Sequence, residues 1–194
     1  VVRPRDSVQW ALHYPFLATY EPEDLVARSE GGWSAVAGRS RDFYWQGDST
    51  QALSIIEGVP ENIRTARFFI YRASLLLSVG RVDRAQFDLR KALQLDPSQG
   101  DALALEAIVA LTQNRKTEAD ELIRRAAELS PNSPIVKLAF SYVRQAHFDL
   151  QSAMTSVEDS LRLDPKNALS WARLSDLHLS FGYLDKALEA AQEA

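Results

Sequence analysis

Apolar residues recur at intervals of three and four on both sides of Gly80. Before the glycine they are Phe69, Ala73, Leu76 and Leu77, and after it they are Ala85, Leu89, Ala92 and Leu93. Because an α-helix turns every ~3.6 residues, each set lies on one helical face. Gly80 suits the left-handed conformation of a helix end, and Asp96-Pro97 is expected to stop the second helix. The pattern therefore predicts a helical hairpin.

The hairpin pattern returns at a fixed interval of 34 residues. Pro97, Pro131 and Pro165 close the similar phrases LQLDP, AELSP and LRLDP, and alanines keep the same interval at Ala85, Ala119, Ala153 and Ala187. A fixed interval of this length indicates an internal repeat. One hairpin cannot bury its apolar face alone, so neighbouring hairpins must stack. We therefore predict an all-α fold.

The repeated positions resemble the tetratricopeptide repeat, whose pattern is W-x2-L-G-x2-Y, then A-x3-F, then P. The best copy is Trp171-x2-Leu174-Ser175-x2-His178, followed by Gly182 and Ala187. The resemblance implies an α-solenoid of antiparallel helix pairs, wound as a right-handed superhelix.

Three residues depart from the family pattern. Arg72 and Glu106 stand where the last copy has Leu174, and Arg144 stands where the family prefers an aromatic residue. Arg72 and Glu106 lie one repeat apart, so we predict that they pair or share a polar network.

We divide the chain into one N-terminal segment and five repeats. Residues 1–32 form an aromatic-rich segment with short helices that is expected to cap the repeats. The degenerate repeat 33–65 has Gly58-Val59-Pro60 near its end, so its second helix should be short. The remaining repeats are 66–99, 100–133, 134–167 and 168–194, the last of them truncated.

Composition limits the classes of partner. The net charge of −4 argues against nucleic acid, whose binding needs clustered Lys and Arg. No apolar run approaches the length of a membrane span, so direct membrane insertion is not expected. The absence of cysteine excludes disulfides and thiolate metal sites. A protein or peptide partner is the remaining expectation.

No group of residues suggests catalysis. His13, His147 and His178 are dispersed, and there is no nucleophile elbow, phosphate loop or dinucleotide-binding glycine motif. We expect His178 to be a structural histidine that packs between helices. The sequence predicts neither an enzyme nor a bound cofactor or metal.

The resemblance implies that a partner peptide binds a concave groove lined by the first helix of each repeat. The predicted lining is mostly apolar, although some of it is expected to pack helix against helix instead. It comprises Arg67, Ile70, Ser74, Leu77, Asp101, Ala104, Ile108, Leu138, Tyr142, Gln145, Ala172 and Asp176. Ile70, Ser74 and Leu105 stand where the family's chaperone-tail adaptors carry Lys, Arg or Asn, so a carboxylate clamp is not expected.

Residues 1–15 resemble the linker that joins a FecR-like envelope domain to tetratricopeptide repeats in bacterial proteins. That resemblance implies a bacterial envelope or periplasmic parent protein, with a cytoplasmic parent as the alternative. Two functions follow. One is a non-catalytic interaction scaffold, and the other is a regulatory or positioning arm of a larger envelope-associated sensor or enzyme.

Two further expectations concern the ends of the chain. The chain begins at Val1 and ends within a predicted helix, so we expect it to be a piece of a longer protein. The apolar face of residues 184–194 is then expected to self-associate. Residues 7–20 hold Trp10, Tyr14, Phe16 and Tyr20, and we expect them either to cap the first repeats or to enter the groove.

Overall fold

The computed structural model describes residues 32–194, which form ten α-helices and no β-strand. The predicted N-terminal segment falls almost wholly outside these residues. The helices are α1 (Ser34–Trp45), α2 (Ser49–Glu57), α3 (Ala66–Ser78), α4 (Val82–Leu95), α5 (Gly100–Thr112), α6 (Lys116–Leu129), α7 (Pro134–Ala146), α8 (Leu150–Leu163), α9 (Ala168–Ser180) and α10 (Leu184–Gln192). The all-α helical-repeat class predicted from the sequence is confirmed, and the superhelix handedness stays a prediction.

The described residues fall into two compact units, 32–98 and 99–194. In the first unit, α1 packs against α2 and α3 against α4. In the second, the hairpins are α5–α6, α7–α8 and α9–α10, and α7 also packs against both α5 and α6. The helices α3, α5, α7 and α9 start 34 residues apart, which matches the interval in the sequence.

Local sequence signals set the helix ends. Thr65, Ser133 and Asn167 each accept a hydrogen bond from a backbone N–H in the first turn of the helix that follows. This capping satisfies an amide that has no partner inside the helix. The helix α4 ends at Leu95, immediately before Asp96-Pro97, as predicted. The degenerate repeat's second helix, α2, is short at nine residues, also as predicted.

The hairpins close on small side chains. Ala85, Ala119, Ala153 and Ala187 are all buried, which is the packing role expected of alanines that recur at the repeat interval. Gly100, at the start of α5, lies even closer to the end of α6. A Cβ added at Gly100 would lie 2.5 Å from Ser130 Oγ and 2.8 Å from the carbonyl oxygen of Ala126. The start of α5 can therefore meet the end of α6 only because position 100 has no side chain.

An aromatic cluster forms the core of the first unit. The buried Trp33 ring packs edge-on against Phe68, with ring centroids 5.5 Å apart, and also contacts Tyr71. The Tyr71 hydroxyl donates a hydrogen bond of 2.9 Å to the carbonyl oxygen of Ala37. The cluster thus joins α1 to α3 through ring packing and one buried hydrogen bond.

Tyr71 makes the first unit sensitive to alkali. Burial raises the pKa of Tyr71 from 10.0 to about 12, so the unfolded chain loses this proton first. The stabilisation that Tyr71 contributes to the fold is complete below pH 10 and is lost as the pH rises through 12. We expect the free energy of unfolding to fall by on the order of 2–3 kcal/mol across that range.

Chemical denaturation at several pH values, compared with Tyr71→Phe, measures this contribution. The variant loses a hydrogen bond at every pH but should show a shallower alkaline decline. Equal declines in both proteins would show that Tyr71 is not the responsible group.

Candidate functional site

The twelve predicted groove residues all lie on the first helices of hairpins, α3, α5, α7 and α9. Seven of them are buried in the structure: Ile70, Ser74, Leu77, Ala104, Ile108, Leu138 and Tyr142. Only the other five have exposed or partly exposed side chains: Arg67, Asp101, Gln145, Ala172 and Asp176. That these residues bind a partner remains a prediction, and the accessible part of the lining is smaller and more polar than expected.

On α3, the predicted residues belong mainly to the core. Ile70 and Leu77 are buried, and the Ser74 hydroxyl donates to the Tyr71 carbonyl oxygen of the same helix at 2.7 Å. The serine therefore satisfies its polar group internally. Arg67 alone among the four predicted residues of α3 has an exposed side chain.

Asp101 ties two helix starts of the second unit together. Its Oδ1 accepts a hydrogen bond of 2.6 Å from the Ser133 hydroxyl, whose oxygen accepts from the Val136 amide at the start of α7. The carboxylate thus helps to fix the α7 N-terminus relative to α5.

Arg173, which is only 1% exposed, organises the most polar part of the second unit. Its Nη2 donates to Gln145 Oε1 at 2.6 Å, and its Nε donates to the Ser141 hydroxyl at 3.2 Å. The guanidinium lies 4.0 Å from the centroid of the Tyr142 ring, a cation–π arrangement. Because Ser141, Tyr142 and Gln145 belong to α7, Arg173 joins α9 to α7.

The cation at Arg173 is incompletely compensated. Burial lowers the pKa of Arg173, while Tyr142 and Asp176 raise it. Burial also raises the pKa of Asp176, and the charge of Arg173 opposes that shift. The Nη1 atom is buried and has no hydrogen-bond partner. The region therefore combines a buried positive charge with a half-buried carboxylate, beside the partly exposed Gln145 and Ala172.

Arg173 was missing from the predicted lining, although the sequence held a signal. The residues at the same place in the three preceding repeats are Tyr71, Leu105 and Ala139, which are all buried and uncharged. An arginine at a position that is buried and uncharged in the other repeats indicates that polar or aromatic partners must compensate its charge.

Neither a metal site nor a bilayer-spanning helix is found in residues 32–194. No three His, Asp or Glu side chains in this range are grouped to hold a metal ion, and every helix here is too short or too polar to cross a bilayer. The His178 ring is half-buried and contacts Tyr183 with centroids 6.2 Å apart. Burial lowers its pKa, and the packing of His178 between helices stays a prediction.

Comparison with protein-family models identifies residues 72–134 as a match to the tetratricopeptide repeat. A thermophilic TPR protein of Thermus thermophilus shares the fold, with a TM-score of 0.70 and 19% identity over 84% of this chain and 91% of that chain. Residues 72–134 are thus similar to tetratricopeptide repeats.

Two further proteins are similar to parts of this chain. Sperm-associated antigen 1 of Mus musculus is 27% identical over 108 residues, so the match spans 56% of this chain and 12% of that relative. MamA of Desulfovibrio magneticus has a TM-score of 0.49 and 15% identity over 82% of this chain and 90% of that one. These matches do not show the FecR-linker resemblance of residues 1–15, which lie outside the described part of the chain.

The two arginines that depart from the repeat pattern both have partners in the structure. Arg72 stands at the family's leucine position and finds a carboxylate partner in Asp88, to which its Nε and Nη2 donate at 2.7 Å each. Arg144 stands at the family's aromatic position and stacks on the Phe140 ring at 4.8 Å. Arg72 is therefore accommodated inside the α3–α4 pair, whereas Arg144 contacts its own helix and pairs with Asp120 of α6. The predicted pairing of Arg72 with Glu106 stays a prediction.

Proposed function

We propose that this chain is a non-catalytic scaffold that binds a protein or peptide through the first helices of its repeats. Tetratricopeptide repeat proteins are generally interaction scaffolds, which supports the class of function. The observation that carries the proposal is the face of the second unit at Gln145, Ala172 and Asp176. There, partly exposed polar groups border the buried guanidinium of Arg173.

The chemistry of this face favours an extended peptide. Gln145 on α7 and Asp176 on α9 offer hydrogen-bonding groups, and Ala172, one turn before Asp176, presents only a methyl group. Peptide recognition in shallow helical grooves draws on such main-chain hydrogen bonds together with apolar contacts. A segment that presents both backbone amides and an apolar side chain would fit best.

Selection of random peptides against the purified chain tests this function. We expect the selected peptides to bind saturably, and Ala172→Arg to weaken their binding about ten-fold or more because a long side chain would fill the face. Thr155→Arg is the matched control, since Thr155 is exposed on the second helix α8. An equal loss in both variants, or no saturable peptide, would contradict the proposal.

The α10 helix supports a second interaction, which is self-association. Leu184 and Leu188 are 69% and 62% exposed, and they lie one turn apart on the same side of the helix. In the preceding hairpin, the residue equivalent to Leu188 is Met154, which is buried in a helix that packs against α9. We propose that the uncovered leucines of α10 form a contact between copies of the chain.

A further inference from the structure

Beside the peptide-binding face proposed at Ala172, three side chains hold polar atoms without a hydrogen-bond partner. Arg173 is 1% and Tyr142 3% exposed, yet neither the Arg173 Nη1 atom nor the Tyr142 hydroxyl has a partner in residues 32–194. Within the same residues, the Asp176 carboxylate accepts no hydrogen bond and forms no ion pair. A buried polar group left unpaired destabilises a fold by about 1–3 kcal/mol, so this cluster points to a group supplied from outside.

The three side chains lie close to one another. The Arg173 guanidinium lies 4.0 Å from the centroid of the Tyr142 ring. Burial raises the pKa of Tyr142, Arg173 lowers it and Asp176 raises it, so both charges act on the hydroxyl. Ala172 precedes Asp176 by one helical turn, and the two therefore share a side of α9. These two partly exposed residues mark the solvent side of a cluster whose buried part is Tyr142 and Arg173.

Arg173 also fixes the orientation of the Gln145 amide. Its Nη2 donates to Gln145 Oε1 at 2.6 Å, which leaves the Nε2 amine of Gln145 as the group that can still donate. The cluster therefore offers two kinds of donor, an amine and a guanidinium nitrogen, and one carboxylate acceptor at Asp176. The Tyr142 hydroxyl can donate or accept.

This combination of groups disfavours a charged ligand. A carboxylate would be repelled by Asp176 and an ammonium by Arg173, and either ion would lose hydration beside buried residues. No ion pair joins Asp176 to Arg173 in the described part of the chain, so one ligand atom is poorly placed to serve both. A primary carboxamide accepts at its oxygen and donates at its nitrogen, which are separate atoms. It therefore matches the cluster better than a hydroxyl does.

We propose that the Ala172 face recognises a peptide through an uncharged side-chain amide, that of an asparagine or a glutamine. The inference rests on the proposed function and names the side chain that the face selects. The amide oxygen accepts from Arg173 Nη1 and from the Tyr142 hydroxyl, and the amide nitrogen donates to Asp176. Because the Asp176 carboxylate has no partner among residues 32–194, its side chain can turn to admit the ligand.

Selection of random peptides against the full chain, followed by fluorescence polarisation with variants of one selected peptide, tests the proposal. Peptides whose binding depends on Ala172 should share one asparagine or glutamine position. Replacing that peptide residue with glutamate, lysine or leucine should weaken binding about ten-fold or more. The physical reason is that each replacement leaves buried hydrogen-bonding groups of the protein unpaired.

Asp176→Asn separates recognition from folding. It removes the charge that repels a glutamate in the peptide while nearly keeping the side-chain shape. The ratio of affinities for the glutamine and glutamate peptides should therefore fall about ten-fold or more. Asp185→Asn is the matched control, because it removes the same charge from the exposed first turn of α10 and should leave the ratio unchanged. A merely structural role of Asp176 would weaken both peptides equally.

The outcomes separate this inference from the function on which it rests. Saturable peptides that depend on Ala172 but show no preference for an amide leave the proposed function standing and overturn the amide inference. Tighter binding of the glutamate peptide to the unmodified chain would mean that Arg173 selects a carboxylate, which overturns the inference too. An unchanged ratio in Asp176→Asn also counts against it. If no peptide binds saturably, both proposals fail.

Discussion

Replacing Asp88 with alanine is expected to lower the free energy of unfolding by about 3–5 kcal/mol. The Asp88 side chain is 2% exposed and accepts two hydrogen bonds from the Arg72 guanidinium, which is itself largely buried. Removing the carboxylate leaves a buried cation that has lost both charge-assisted hydrogen bonds. Packing of Arg72 on the Phe68 and Phe69 rings, at 5.1 and 5.5 Å, keeps the guanidinium from turning easily into water.

Urea denaturation of two further variants separates this effect from ordinary loss of an ion pair. Glu57→Ala breaks the exposed pair between Glu57 and Arg84, and its cost should stay below about 1 kcal/mol. The double variant Arg72→Leu, Asp88→Leu removes both charges and should recover most of the stability lost in Asp88→Ala. If Asp88→Ala costs no more than Glu57→Ala, the buried pair is not a determinant of stability.

Replacing Arg173 with alanine is expected to lower the free energy of unfolding by about 2–5 kcal/mol. The change opens a cavity between α7 and α9 and removes the donors that bind Ser141 and Gln145. It also uncovers the face of the Tyr142 ring. Arg173→Met keeps most of the volume while removing a charge whose Nη1 atom has no partner, so it should remain within about 1 kcal/mol of the unmodified chain.

The comparison between the two Arg173 variants decides what the buried arginine contributes. Equal destabilisation by alanine and methionine would mean that the guanidinium hydrogen bonds, rather than side-chain volume, hold α7 to α9. Arg162→Ala is a suitable reference for denaturation, because Arg162 is an exposed arginine on α8 that pairs with Asp159 in its own helix. Its replacement should change stability by less than about 0.5 kcal/mol.

The sequence predicted the end of α4 and the short length of α2 because local signals control them. Asp96-Pro97 and Gly58-Val59-Pro60 act over a few neighbouring residues, so they can be recognised without the tertiary fold. The left-handed turn at Gly80 was predicted for the same reason. The equivalent turn at Phe148 was not, because phenylalanine gives no local preference for it and only the repeat interval points to that position.

The candidate site was harder to predict, for a reason visible in α5. Ten of its thirteen residues are buried, so its apolar residues do not mark a single face. When a first helix is covered on several sides, its apolar residues do not form one stripe. The sequence pattern then cannot distinguish a residue that lines a groove from one that packs on a neighbouring helix. Ala104 and Ile108 were therefore assigned to the groove but are buried. Arg173 was overlooked because its neighbours come from α7, which only the tertiary fold brings near.

The position of α10 at the edge of its unit affects how the chain loses structure. This nine-residue helix packs against α9, and its buried residues are Ala187 and Ala190, so little apolar area holds it in place. Helices with few buried contacts open at a small fraction of the global unfolding free energy. Backbone amides of α10 should therefore exchange with deuterium long before those of α5 and α7, unless a second molecule covers the helix. If high protein concentration slows exchange in α10 but not in the other helices, the individual amides that are protected would identify the part of α10 that a second molecule covers.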